Sequence, residues 1–265
     1  MKQIALLGCG WLGFPLAKSM LLNNFLVNGS TTSEEKLTAL KNANINPFLI
    51  RIEENGIIGE MDIFLQNATI LIIDIPPKLR GAQSENFVLK IKNCIPFIEK
   101  AKIKKVIFIS STSVFADDNS VVTELTVPRP ESESGKQLLE AENVLRANCN
   151  FDTTIIRFGG LYGADRHPAK MLAGKVNVAN PNAPVNLIHL NDCIAIIEKI
   201  ISSAAFGKIY NAVAPCHLTR QKYYTQKAQE FNLPTPLFDN SKPSVGKQVL
   251  SDYLCADLDF CFSNI

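Results

Sequence analysis

The stretch Lys2-Gln-Ile-Ala-Leu-Leu-Gly8-Cys-Gly10-Trp-Leu-Gly13 sets an apolar strand directly before a glycine-rich turn. Gly8 allows the chain to turn sharply, Gly10 has no side chain to hold a ligand away, and Gly13 lets the following helix lie close against the strand. That helix carries Leu12, Leu16, Met20 and Leu21 at helical spacing. Pro15 falls in its first turn, where the backbone N–H groups lack intrahelical partners in any case. Strand, glycine spacing and helix in this order suit the pyrophosphate of a dinucleotide, with the free N–H groups of the helix facing its charge. Gly8, Gly10, Trp11, Leu12 and Gly13 are therefore the expected contacts. The plain alternative is a tight turn into a helix with no ligand.

Outward from this turn, composition narrows the rest. With 265 residues, 46% hydrophobic and 20% charged, the chain can bury a full core, as one domain or as one domain with a small lobe. Its 27 basic and 25 acidic residues leave a net charge of +2, which gives no reason to expect a nucleic-acid or membrane-surface partner. No apolar run approaches the ~18 residues of a membrane span, and a core strand begins at residue 3 without a leader-like segment. The expectation is a soluble cytoplasmic protein with a small-molecule substrate, for which a homodimer is an open option. Seven scattered cysteines without a CxxC pair read as buried, reduced thiols rather than as a disulfide framework or metal site.

Strands and helices then alternate along the chain, which argues for an α/β fold, a Rossmann-type doubly wound parallel sheet with a small C-terminal substrate lobe. Phe25 to Gly29 reads as the second strand, Thr32-Ser-Glu-Glu35 as a capping box opening the next helix, and Pro47 to Ile52 as a third strand. Ala68 to Ile75 is almost continuously apolar, as a strand covered on both faces should be, and stops at Pro76-Pro77. A helix from about Ser84 to Ala101, with a kink or break near Pro96, leads to a strand at Lys105 to Ser110. The polar segment from Asp117 to Ser134 suggests an active-site loop, followed by a helix from about Gly135 to Asn148. Phe151 to Phe158 and Val185 to His189 read as the sixth and seventh strands, with Asn191 capping the next helix. On this reading residues 1–159 form the dinucleotide-binding domain and 160–265 mainly a substrate lobe, with about 185–213 returning to the sheet.

Five motifs in order, GCGWLG, Ile109-Ser-Ser-Thr-Ser-Val-Phe115, Ser134-Gly-Lys-Gln-Leu-Leu-Glu-Ala-Glu142, Arg157-Phe-Gly-Gly-Leu-Tyr-Gly163 and Val185-Asn-Leu-Ile-His-Leu-Asn-Asp192, span essentially the whole chain. Their order resembles the extended short-chain dehydrogenase/reductases, and within them an atypical bacterial branch of epimerase/dehydratase-like proteins. The resemblance implies NAD(P) in the glycine-rich crevice and a substrate beneath the C-terminal lobe. It also implies a substrate-orienting role for Ser111. Strand ends at Ile75, Pro76 and Ser110 are expected to border the cofactor. The family's Tyr-x-x-x-Lys falls on Ser134 and Leu138, so the phenol and the ammonium that lowers its pKa are both missing.

Cofactor choice is read at the end of the second strand, where an acidic side chain would grip the ribose hydroxyls of NAD. Gly29-Ser30-Thr31-Thr32-Ser33 has none, and Lys36 follows one turn on, so NADP is favoured over NAD. Among proton donors, Ser111, Tyr162 and Ser134 are carried as catalytic candidates. Glu133 reads equally as a solvated carboxylate, His189 as a core histidine, and Cys216-His217 as neighbours that do not face each other. Arg166 and His167, adjacent on a loop after the sixth strand, would hold an anionic substrate or simply lie at the surface. Two functions stay open: an oxidoreductase or epimerase acting on a small polar, phosphorylated or nucleotide-linked substrate, and a catalytically silent NAD(P)-binding sensor or regulator.

Overall fold

The computed structural model describes residues 2–77 and 85–263. In chain order the elements are β1 (Gln3–Leu7), α1 (Gly13–Leu22), β2 (Leu26–Thr31), α2 (Glu35–Asn42), β3 (Asn46–Leu49), β4 (Arg51–Glu53), β5 (Gly56–Ile58), α3 (Met61–Leu65), β6 (Ala68–Ile73), α4 (Phe87–Lys100) and β7 (Lys105–Ser111). There follow β8 (Val121–Val122), α5 (Glu133–Arg146), β9 (Asp152–Phe158), β10 (Gly160–Tyr162), α6 (Pro168–Leu172), β11 (Leu187–His189), α7 (Leu190–Ser202), β12 (Ile209–Ala212), α8 (Arg220–Glu230), β13 (Gln248–Val249) and α9 (Asp252–Leu258). Seven strands form one sheet in the order β12-β9-β7-β6-β1-β2-β3, with every neighbouring pair parallel.

Alternation along each strand sorts the core into two layers. Leu7, Ile73 and Phe108 face α3, α4 and α5, whereas Leu6, Ile72 and Ile107 face α1, α2, α7 and α9. Helices on both faces explain why Ile70 to Ile73 are all apolar and buried. After β1 the chain winds out to β2 and β3, then returns to β6 on the other side of β1. The reversal leaves a crevice outside the carboxyl ends of β1 and β6, the usual ligand position in an open α/β sheet.

Several expected elements move. The capping box at Thr32 does not form: Thr31 Oγ1 accepts the Ser33 N–H at 3.2 Å, and α2 begins at Glu35 with no side-chain cap. The third strand divides, because β4 leaves the main sheet to pair antiparallel with β5 across the two-residue turn Glu54-Asn55. The expected helix start at Ser84 lies outside the described residues. Pro96 sits inside α4 without ending it. Its place on the exposed face lets water reach the carbonyl one turn back that loses its partner. Val185 to His189 is not the seventh strand of the sheet. β11 pairs in parallel with β10 in a separate two-stranded sheet, and β12 takes the edge position beside β9. The cap of α7 is His189, whose Nδ1 accepts the Asn191 N–H at 3.2 Å, rather than Asn191 itself. Cys9, Cys94 and Cys193 are buried free thiols as expected, while Cys149 and Cys261 are exposed. No helix among the described residues is long and apolar enough to cross a membrane.

Candidate functional site

The three glycines of the first turn have different reasons to be glycine. Gly8 has φ +109°, and a Cβ there would stand 2.2 Å from the carbonyl oxygen of Asp74. A Cβ on Gly13 would stand 2.1 Å from the carbonyl oxygen of Gly8. Both glycines are demanded by packing. At Gly10 a Cβ would meet nothing within 4 Å, so the space above the turn is open. A cradle that the fold itself does not need, at the N-terminus of α1, fits a pyrophosphate.

β2 closes one side of this cradle. Ser30 Oγ accepts the Gly8 N–H at 2.9 Å, and the Ser30 carbonyl accepts that of Cys9 at 2.7 Å. Beyond it opens a cleft of about 280 Å³, with Gly8, Gly10, Ser30, Thr31 and Thr32 on one side and Asp74, Ile75 and Pro76 on the other. Lys36 and Lys90 also reach its wall. Lys90 pairs with Glu85, whereas Lys36 forms no ion pair among the described residues. Burial pushes the Asp74 carboxyl up to about 8, with the Gly13 N–H working in the opposite direction. Asp74 was not foreseen from the sequence, because it reads as the last polar residue of a strand.

A second cavity, of about 340 Å³, opens at the end of β7. Ser111 lies on its wall, with its Oγ accepting the Ser113 N–H at 3.1 Å and so capping the short turn Thr112–Val114. The N-terminus of α5 presses on that turn: a Cβ on Gly135 would lie 2.2 Å from the Ser113 carbonyl oxygen. Two cations that the sequence reading missed join Ser111 here. Lys247 is 9% exposed and donates to the Phe115 carbonyl (2.9 Å) and to Asp117 Oδ1 (2.8 Å). Arg220, the first residue of α8, stacks on Tyr224 at 5.6 Å.

Tyr162 belongs to a third, separate cavity of about 710 Å³ at the carboxyl ends of β10 and β11. His167 and His189 stand edge-on to its ring at 5.3 and 5.1 Å. His167 Nδ1 accepts the Ala169 N–H, and its Nε2 lies 3.3 Å from the Tyr223 hydroxyl. Burial first, then Lys227 and Lys170, holds this imidazole below the usual histidine range. Trp11, beside Gly10 in the first turn, lies against Gly163 on the wall of this cavity, where a Cβ would stand 3.0 Å from its ring. Its Nε1–H donates to both carboxylate oxygens of Asp165 (3.2 and 3.1 Å), and Arg166 stacks on its ring at 5.3 Å.

Over 262 residues the chain is 34% identical to Protein YeeZ of Escherichia coli strain K12, a match covering 98% of this chain and 95% of that protein. The chain belongs to the YeeZ family. No family model matches it. Among solved structures, a functionally unknown conserved protein from Silicibacter pomeroyi DSS superposes with a TM-score of 0.81 at 21% identity, over 100% of this chain and 94% of that one. A UDP-glucuronic acid 4-epimerase from Bacillus cereus in complex with NAD gives 0.82 at 16% identity, over 100% and 93%. A putative NAD-dependent epimerase/dehydratase from Methylobacillus flagellatus gives 0.81 at 22%, over 99% and 93%. The fold of this YeeZ-family chain is thus that of the NAD-dependent epimerases and short-chain dehydrogenases.

The three catalytic candidates do not line one cavity. Ser111 and Tyr162 line different cavities. Ser134 sits in the first turn of α5 and does not line the Ser111 cavity, and Leu138 is buried in the layer beneath the sheet. Ser110 turns away from the crevice: its buried hydroxyl lies 2.5 Å from Glu142, which holds Arg157 at 2.6 Å. Successive residues of a strand face opposite ways, so the Ser110 and Ser111 hydroxyls point to opposite sides of the sheet. Leu12 is buried at the start of α1, so only its backbone can face a ligand. Arg166 and His167 point apart, one to Trp11 and the other to Tyr223.

Proposed function

We propose that this protein binds NAD(P) and acts as an oxidoreductase or epimerase of the short-chain dehydrogenase/reductase kind, on a small polar substrate held beside Ser111. The observation that carries the reading is the open cradle over Gly10, at the point where the strand order reverses, with the Ser111 cavity two strands away across β6. Gly8, Gly10 and the first-turn amides of α1 would hold the pyrophosphate, and Ser30, Thr31, Thr32 and Lys36 the adenosine end. The absence of a carboxylate at position 30, and Lys36, which forms no ion pair among the described residues, favour the 2′-phosphate of NADP over NAD. A bound nicotinamide gives or takes hydride at its C4. The Ser111 hydroxyl would orient the reacting oxygen, and Arg220, whose charge no carboxylate among the described residues offsets, would set the positive field there.

With Ser134 and Leu138 in place of the phenol and ammonium, the proton must move through a group other than the family's tyrosine. Those same two residues, one off the cavity and one in the core, favour a second reading as a cofactor-binding sensor. A coupled absorbance assay of NADPH against aldehydes, ketones and nucleotide sugars separates the two. In an enzyme, Ser111→Ala lowers kcat by about one to several powers of ten, while Ser134→Ala changes it little. A large loss in Ser134→Ala overturns the assignment of the site, and NADPH left unoxidised throughout favours the sensor.

A further inference from the structure

The Ser111 cavity carries three charged side chains, and their balance is uneven. Asp117 neutralises Lys247 through a 2.8 Å ion pair, while Arg220 pairs with no carboxylate among the described residues, leaving a net single positive charge on the wall. Among the described residues Arg220 makes no side-chain hydrogen bond and no ion pair, and its Nε is buried without a partner. A guanidinium offers five N–H donors in a planar fork. Nε is sealed from the cavity, so the terminal N–H groups of the fork, which have no partner among the described residues and are not buried, are the ones a ligand can satisfy. Lys247 uses two of its three N–H groups on the Phe115 carbonyl and Asp117, which leaves one.

One side of the same cavity is formed by a single segment of chain. Residues 244–249 cross it as a strap tied to both walls. Asn119 N donates to the Gly246 carbonyl and Gly246 N to Asn119 Oδ1, at 2.6 and 3.0 Å. On the other wall Asn186 Nδ2 donates to the Lys247 carbonyl at 2.8 Å, and Val249 N to Asn186 Oδ1 at 2.9 Å. Gly246 is pressed against Ala183, where a Cβ would stand 2.8 Å from the Ala183 Cβ. Widening the cavity on that side means breaking these ties. At about 340 Å³ it stands at the small end of ligand pockets, which run from about 300 to 1,000 Å³.

We propose that the Ser111 cavity takes a compact hydroxy or oxo substrate bearing one terminal oxyanion, a carboxylate or a phosphate monoester, which docks on Arg220 and is not nucleotide-linked. The proposal rests on the reading of Ser111 as the substrate end of an NAD(P) site and names the substrate class of that site. Arg220 forms the bidentate contact that fixes one end of the molecule, the remaining Lys247 N–H and the Ser111 hydroxyl meet the other, and the strap sets the length between them.

The test is calorimetric titration of the full chain, with and without saturating NADP, using lactate, glycerol 3-phosphate, glycerol and UDP-glucose as probes. Lactate or glycerol 3-phosphate is expected to bind at least about tenfold more tightly than glycerol and more tightly than UDP-glucose, the better of the two telling carboxylate from phosphate. Arg220→Gln should weaken that anion at least about tenfold and Arg220→Lys less, with the thermal midpoint and NADP affinity unchanged. Anion binding unaffected by Arg220→Gln, no preference over glycerol, or tighter binding of UDP-glucose overturns the proposal. Should Arg220→Gln fail to fold, the order of affinities in the parent protein decides alone. NADP binding is read in the same samples, so its failure counts against the cofactor reading, and anion failure with NADP bound counts against this proposal only.

Discussion

Gly10→Val is expected to abolish dinucleotide binding while leaving the fold intact. In the free protein the new Cβ meets no atom within 4 Å, and φ at this position is not positive, so nothing in the native backbone resists it. Replacing a glycine in a compatible conformation narrows the unfolded ensemble and stabilises by about 0.4–1 kcal/mol. At about 2–4 °C per kcal/mol for a chain of this size, the midpoint should rise by a few degrees or stay level. Gly13→Ala supplies the contrast. Its Cβ would fall 2.1 Å from the Gly8 carbonyl oxygen, so α1 must move off the turn and the midpoint should drop sharply. Ligand at about 100 times its Kd adds about 2.7 kcal/mol, a shift of about 5–11 °C in the parent protein. In Gly10→Val that shift should vanish, because the isopropyl group occupies the approach of the pyrophosphate. Thermal melts of parent and both variants with NADP and NAD decide the matter. A parent-sized shift in Gly10→Val would show that the dinucleotide does not lie over this turn, and a collapse of its midpoint to that of Gly13→Ala would show that Gly10 is structural.

Three further outcomes follow from named contacts. Ser30→Asp keeps an acceptor for the Gly8 N–H but sets a carboxylate against a 2′-phosphate, so calorimetry should show the parent preferring NADP and the variant NAD; tighter NAD binding by the parent refutes the preference. For Asp74 the folded carboxyl titrates near 8 and the unfolded one near 3.8, so the folded state holds the extra proton between these values. Its contribution is neutral below the unfolded value, and stability then falls by about 1.4 kcal/mol per pH unit up to about pH 8. Urea melts across that window should show Asp74→Asn losing less stability than the parent as pH rises, and parallel curves would contradict this. Glu142→Gln leaves the buried Arg157 charge without its partner and should destabilise by about 3–5 kcal/mol; a loss in urea melts below about 1 kcal/mol would mean the pair is relieved by water or by Ser110.

Much of this protein was legible in the chain itself wherever the cause is local. The Gly8, Gly10 and Gly13 spacing, the apolar run from Ala68 to Ile73 and the helical period of α1 each follow from a few consecutive residues. They suffice for the doubly wound sheet and for the open cradle over Gly10. Tertiary structure decided what depends on residues far apart in sequence. Val185 to His189 has the same apolar pattern whether it joins the sheet or pairs with Gly160 to Tyr162, and only competition for the edge of β9, won by β12, separates the two. Serines 110 and 111 are alike as sequence, yet the pleat sends one to Glu142 and the other to the cavity. Arg220 and Lys247 look like ordinary surface cations until the strap carries Lys247 onto the Phe115 carbonyl, 132 residues away along the chain. Such meetings are set by how the sheet, its loops and the C-terminal lobe close on one another, and short-range pattern carries no record of that closure.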